Sequence, residues 1–357
     1  MGSYLSLPST GTRTGSARPP PGPFLELPVD IILHLCCNYL PPASAVALSL
    51  TCKSLFGLIS SQAKTKIQLN STDLETLLLL LEKDSGHRWY YCHNHTVLHC
   101  FSQDSKRWAL RSWLLYRDQD DCRLRNLASV SMSTAAISYH HVRLAMNRHF
   151  YGAPNGISLD MFQLKTTLVA PWREQWSARI IGDELFLSAT RTLPWTDQQP
   201  RYAVVDSNFG ICGHVRTVNS LILQYTVDTL HPTPTTPTNL FVPCHEVFES
   251  CHKCLTDYDT VVEQRQAETS DPDTRDPDTN DQTRGNKCTR VSWSITVTSY
   301  HRLGAGRSPS DPKWHAFATR GYATIGFSEY HRIQRDMVRY PPGSVRQAWK
   351  EAEQFMS

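Results

Sequence analysis

Residues 23–60, PFLELPVDIILHLCCNYLPPASAVALSLTCKSLFGLIS, carry apolar side chains at helical spacing on both sides of a Pro-Pro break. That pattern commits the start of the chain to a short helical hairpin. Leu27-Pro28 opens it, because a proline already has a near-helical φ and its missing N–H is one that a first turn leaves unbonded. Ile31, Ile32, Leu35, Cys36, Tyr39 and Leu40 then recur at steps of three and four, tracing one helical face. Pro41-Pro42 stops this helix, since the first proline drives its predecessor out of the α region and neither donates an amide proton. A second run follows in Ala45, Leu48, Leu50, Cys52, Leu55, Phe56 and Ile59. So short a segment cannot bury all of these side chains among themselves. It needs another surface, supplied either by the protein's own core or by a partner.

The order of residues narrows that choice. Leu27-Pro28, an acid at Asp30, paired aliphatics, Leu35 and Leu40, then Leu50-Thr51-Cys52-Lys53 resembles the F-box. The resemblance covers about a tenth of the chain and implies docking on the Skp adaptor of a Skp–cullin–F-box ubiquitin ligase. It also implies that Leu27, Pro28, Ile31, Ile32, Leu35, Leu50, Cys52 and Leu55 contact that adaptor or position the residues that do. Several later phrases are similar to those of F-box-containing proteins of filamentous fungi. They are the LLLLLEKD helix, the YYC stretch at residues 90–92, the Cys251-x-x-Cys254-x-Thr-Asp-Tyr segment and LGAGRSPSDPKW from Leu303.

At 357 residues the chain can hold one large or two ordinary domains. A net charge of +3 is too balanced to imply nucleic acid or an anionic membrane. The longest aliphatic run, Leu77 to Leu81, is far short of a membrane span. Pro and Gly stand where a signal peptide needs an apolar core, so a cytoplasmic or nuclear location is expected. The eleven cysteines then read as reduced thiols or metal ligands instead of disulfides. Met1-Gly2 through Ser6 fits the myristoylation pattern, with a chance match in a tail as the alternative.

Residues 1–23 lack apolar content and are expected to be disordered. Residues 24–60 form the F-box, and 61–357 a larger domain. Thr72-x-x-Glu75 offers a capping box for a leucine-rich helix over Leu74 to Glu82. Ser102 to Arg125 interleaves bases with tryptophans, but its aspartates favour a solvated helix over a nucleic-acid surface. From about residue 140 the texture turns toward strands: 157–169 loosely, 178–188 as a hairpin about Gly182-Asp183, then 202–205, 213–218, 220–227 and 291–300. Residues 231–239 read as an extended loop. Residues 264–290, containing DPDTRDPDTND, read as a disordered insertion. Ser344 is expected to cap a last helix, 345–355. The fold class expected is α+β: a short helical F-box, then a mixed, β-rich body.

Two cysteine-histidine groups have ligand-like spacing. One is Cys92, His95, His99 and Cys100. The other pairs Cys212-x-His214 with Cys251-x-x-Cys254, where a loop can aim both sulfurs at one ion. Structural zinc and unliganded thiols are both compatible with these spacings. Catalytic signatures are missing: Pro309 stands where a dinucleotide fingerprint after Gly304-Ala-Gly306 needs glycine, and no P-loop, nucleophile elbow or H-E-x-x-H helix occurs. No enzyme is read here. The sequence instead suggests an adaptor that holds an unknown protein substrate near a cullin ligase. The alternative is a zinc-supported protein- or nucleic-acid-binding module without a ligase role.

Overall fold

A computed structural model of the protein describes residues 27–62, 67–93, 95–101, 130–132, 135–167, 172–196, 210–215, 244–268, 289–318 and 340–355. The N-terminal tail with Gly2, the basic-aromatic segment 102–125, the strands expected at 202–205 and 220–227 and the loop 231–239 lie outside these residues. The chain divides into two units, Met1–Leu81 and Glu82–Ser357.

Within the first unit the prolines act as their chemistry requires. Helix α1 (Val29–Asn38) follows Pro28, α2 (Pro42–Leu50) begins on the second proline of the Pro-Pro pair, and α3 (Lys53–Gln62) completes the set. Ile32, Cys36, Ala45, Leu55 and Ile59 interlock as a small core, with Leu48, Cys52 and Ile67 packed against it. Helix α4 (Ser71–Ser85) follows. Its reciprocal cap is set two residues earlier than Thr72/Glu75. The Asp73 N–H donates to Asn70 Oδ1 at 2.8 Å, and the Asn70 N–H donates to Asp73 Oδ2 at 3.2 Å. Asparagine is among the strongest N-cap residues, so it takes the position that threonine was expected to fill.

The second unit is built on an antiparallel sheet. Two small hairpins come first: β1 (Trp89–Cys92) with β2 (Val97–Cys100), and β3 (Val130–Met132) with β4 (Ala135–Ile137). Helix α5 (Tyr139–Tyr151) stands where strand texture was expected to begin. The ring of His141 accepts from the Ser138 N–H at 3.1 Å and closes its first turn. Two 3-10 turns occupy 153–155 and 159–162, so only Leu164–Thr167 of the expected 157–169 strand is extended. That segment is β5. The remaining strands are β6 (Arg173–Ile181), β7 (Glu184–Thr196), β8 (Cys244–Ser250), β9 (Thr256–Glu268) and β10 (Thr289–Gly304). They are ordered β5-β6-β7-β10-β9-β8. Helices α6 (Pro312–Ala318) and α7 (Ser344–Gln354) complete the unit. The architecture is α+β.

Side-chain alternation along β7 sets the layers. Leu185, Leu187 and Ala189 face α5 and α6, packing with Val142, Ala145, Met146, Trp314 and Phe317. Phe186 points the other way and packs with Tyr300, Val345 and Trp349 of α7. The β6–β7 turn has positive φ at both Gly182 (55°) and Asp183 (60°), the two-residue geometry that matches strand twist. Glu174 and Arg191 oppose each other across β6 and β7 as a fully buried ion pair at 2.8 Å. Of the disordered insertion expected at 264–290, residues 264–268 and 289–290 are strand instead. Glu268 pairs with Thr289, and the ladder continues inward through Gln264 and Trp293. Backbone pairing does not require apolar side chains, so the polar ends of that segment extend the strands. Residues 269–288 lie outside the described residues.

α7 is capped from a distance. Asp257, buried on β9, accepts the Val345 and Arg346 amides at 2.9 Å each and that of Gly343 at 3.2 Å. A carboxylate at a helix N-terminus meets both the orphan donors and the positive end of the dipole, and here it does what Ser344 was expected to do.

Candidate metal centre and apolar helical face

Cys251 follows the last residue of β8, and Cys254 lies two residues before β9. The connection between these strands is closed by the Cys251 N–H donating to Thr256 O and the Thr256 N–H donating to Cys254 O, both at 2.8 Å. Within this tight turn the Lys253 N–H donates to Cys251 Sγ at 3.4 Å. A second turn has the same design. The Ile211 N–H donates to Val215 O at 2.8 Å, and the His214 N–H donates to Cys212 Sγ at 3.4 Å. A sulfur that accepts a backbone N–H two residues on is arranged to carry negative charge.

The two turns converge. One ligand atom from each of Cys212, His214, Cys251 and Cys254 lies within 4.8 Å of every other, and Cys212 Sγ stands 3.9 Å from His214 Nδ1. A tetrahedral zinc with bonds of about 2.0–2.3 Å holds its ligand atoms roughly 3.5–3.8 Å apart, so small adjustments close the shell. The three cysteines are buried, with Ala316 of α6 and Val215 against them, while His214 is half-buried. Outside the ligands, Thr256 Oγ1 lies 3.2 Å from Cys254 Sγ and 2.9 Å from Nδ1 of His301, which is fully buried on β10. Such backing fixes ligand orientation.

Electrostatics point the same way. Hydrogen bonds from Cys212 and then Cys254 push the Cys251 thiol far below the ordinary thiol range, while burial pushes Cys212 and Cys254 above it. Three thiols in so small a space oppose one another's ionisation. A divalent cation removes that conflict, since a coordinated thiol deprotonates outright. The residues present fit zinc: three soft sulfurs and one imidazole, their ligand atoms within 4.8 Å of one another, on two short turns. Cysteine and histidine clusters in this protein can therefore hold a metal ion.

The other sequence candidate divides. Ligand atoms of Cys92, His95 and His99 also fall within 4.8 Å of one another, but Cys100 is not among them. In the β1–β2 register Cys92 pairs with Val97 and Tyr90 with His99, which puts Cys92 and His99 on one face. Cys100 pairs with Trp89 and points to the opposite face, because successive strand residues alternate. His93 was not singled out from the sequence. It is packed edge-on against Tyr91 at 4.4 Å, and burial, with lesser contributions from Arg143 and His140, lowers its pKa to about 3.

The eight residues of the N-terminal motif also separate into two sets. Ile32 and Leu55 are core residues of the helical unit, 3% and 4% exposed, and Cys52 and Leu35 are intermediate. Leu27, Pro28, Ile31 and Leu50 are exposed, Ile31 by 47% and Leu50 by 48%. Val29 and Phe56 are exposed apolar residues of the same unit that the motif did not single out. Spacing did not mark them out: Val29 precedes the core residues Ile32 and Cys36 by three and seven positions, and Phe56 belongs to the second periodic run.

All nine cysteines among the described residues are free of disulfides. No described helix is long and apolar enough to cross a membrane. In the comparisons with known proteins, no family model, curated protein or solved structure matches this chain.

Proposed function

We propose that the protein is a substrate-recruiting adaptor of a Skp–cullin–F-box type ubiquitin ligase, working in the cytoplasm or nucleus. In this reading the helical unit docks on the Skp adaptor, and the sheet unit, held by a structural zinc ion at Cys212, His214, Cys251 and Cys254, binds a protein substrate. The observation that carries it is the division of apolar residues in the helical unit. One set fills the unit's own core, and a second set, Leu27, Ile31 and Leu50 among them, is left exposed beside Pro28. Exposed apolar residues on so small a unit are what an interface anchor needs. Function follows from proximity: holding substrate lysines beside an activated thioester makes an encounter between two molecules effectively intramolecular.

The test is capture of the Skp adaptor by the purified chain. Changing Leu27→Ala together with Pro28→Ala costs upwards of about 2 kcal/mol in that binding, roughly 30-fold in affinity. Capture unaffected by the double change defeats the adaptor reading. The convergence of four zinc-type ligands favours a second reading, a zinc-supported binding module without ligase function. That reading expects bound metal with no adaptor capture. Zinc itself is tested by elemental analysis of the full chain. Stoichiometric metal that Cys254→Ser removes supports the site, and metal far below one atom per chain rejects it.

A further inference from the structure

We propose that the β1–β2 hairpin carries a second zinc-class metal site, formed by Cys92, His95 and His99, that loads independently of the cysteine-rich cluster and exchanges its ion faster. The inference does not depend on the adaptor reading. It rests on how the hairpin is built. Cys92 ends β1 and is fully buried, so its sulfur is fixed in place by packing. The chain then turns through Thr96, whose φ of 52° is in the left-handed region, with the Thr96 N–H donating to Cys92 O at 2.9 Å. A threonine accepts that conformation only at a cost, and His95 lies inside the turn so closed, one residue before Thr96. Cys92 Sγ and His95 Nδ1 stand 3.9 Å apart.

The third ligand comes from the facing strand. His99 pairs with Tyr90, two residues before Cys92, and so is the diagonal neighbour of Cys92 on the same face. Tyr90 stacks on the His99 ring at 5.6 Å and holds its plane. The rings of His95 and His99 lie 5.7 Å apart and tilted, so that one nitrogen of each falls within the 4.8 Å group. The base of the hairpin is anchored too: the Phe101 N–H donates to Arg88 O at 2.7 Å, and the Tyr91 N–H donates to buried Glu82 Oε1 at 2.9 Å. Little reordering is left for binding to impose, which is the condition for a usable site.

This site differs chemically from the first. One thiolate and two neutral imidazoles leave a bound divalent ion with a net positive charge, against a net negative one for three thiolates and an imidazole. Three ligands are present among the described residues, and His95 is exposed where the other cluster's cysteines are buried. Fewer ligands and an open side let a chelator approach, so release is faster.

The experiment loads the full-length protein with Zn²⁺, counts bound ions by native mass spectrometry, and follows release to a coloured chelator. Wild type is expected to hold two ions, one released at least about tenfold faster than the other. His95→Ala, a change at an exposed position, removes the fast ion and leaves the slow phase unaltered. His99→Ala does the same. With Co²⁺ in place of zinc, the ion lost in these variants accounts for the smaller part of the sulfur-to-metal charge-transfer band, one thiolate against three. Should His95→Ala and His99→Ala leave both the ion count and the fast phase unchanged, the proposal is overturned. A wild-type chain holding a single ion that Cys254→Ser removes and His95→Ala does not also overturns it. A single ion that follows the opposite pattern upholds the hairpin site and removes the cysteine-rich cluster instead.

Discussion

Glu82→Ala tests how the sheet unit is held together at its most connected buried charge. Glu82, 1% exposed near the end of α4, accepts the Tyr91 N–H at 2.9 Å, Arg143 Nε–H at 3.1 Å and Asn147 Nδ2–H at 3.0 Å, and its Oε2 also receives Arg143 Nη2. Arg143, equally buried, donates onward to Arg307 O at 3.0 Å, and Tyr139 donates to Gly306 O at 2.8 Å. Within the sheet unit, one carboxylate on the last turn of α4 therefore ties β1, α5 and the segment after β10 together. Removing it leaves a guanidinium buried without its counter-charge, a loss of about 3–5 kcal/mol. Loss of the Tyr91 N–H bond to Glu82 adds about 1–3 kcal/mol by itself. These losses share one group and do not add fully, so about 4–6 kcal/mol is expected. Guanidinium unfolding followed by tryptophan fluorescence reads this cleanly, because all nine tryptophans lie beyond residue 88 and so belong to the sheet unit. Replacing both partners, Glu82→Leu with Arg143→Met, should cost less than Glu82→Ala alone, since no unpaired charge remains. A Glu82→Ala loss below about 1 kcal/mol, or a double variant weaker than the single, refutes the account.

Other outcomes follow from the same geometry. Asp257→Ala removes the acceptor for three amides at the start of α7 and should cost about 1–2 kcal/mol; amide exchange in α7 that stays unchanged would contradict the capping role. Burial raises the Glu184 pKa, but hydrogen bonds from Arg302 and Lys313 outweigh it and hold the carboxyl below its ordinary value. Its contribution is then complete above about pH 5 and is lost as pH falls from about 4.3 through the lower folded value. Glu184→Gln should flatten stability against pH in that acid range and leave the slope above pH 5 untouched. In the helical unit Ile32→Ala should cost about 2–4 kcal/mol of stability. The exposed neighbour Ile31→Lys should leave stability within about 0.5 kcal/mol while abolishing adaptor capture. Equal stability losses at the two positions, measured by far-UV dichroism on heating, would defeat the division between core and face.

Prolines and glycines made the clearest parts of this fold legible in the sequence. Pro28, Pro41 and Pro42 bracket the first two helices, and Gly182-Asp183 marks the β6–β7 turn, because these residues act locally. Helix α5 hid behind its own polarity. His140, Arg143 and Asn147 are buried among its apolar residues, and the partner that makes this affordable, Glu82, lies 61 positions from Arg143. Strand β9 was obscured in the same way by Asp257 and Asp259, buried acids that bond the first turn of α7. The half-sites Cys212-x-His214 and Cys251-x-x-Cys254 could be read from their spacing. Their meeting could not, because it depends on two turns that only the folded topology brings together. Cys100 failed as a ligand for a reason the sequence contains, the alternation of a strand, once the register is known.

The β9–β10 ladder also bears on how the chain tolerates change in length. Glu268 and Thr289 sit opposite one another, so the polar run between them departs and returns at one point. Closing a loop of n residues costs free energy that grows only as the logarithm of n, about 0.6 kcal/mol for each doubling. Residues can therefore be added or removed there without altering the register of either strand.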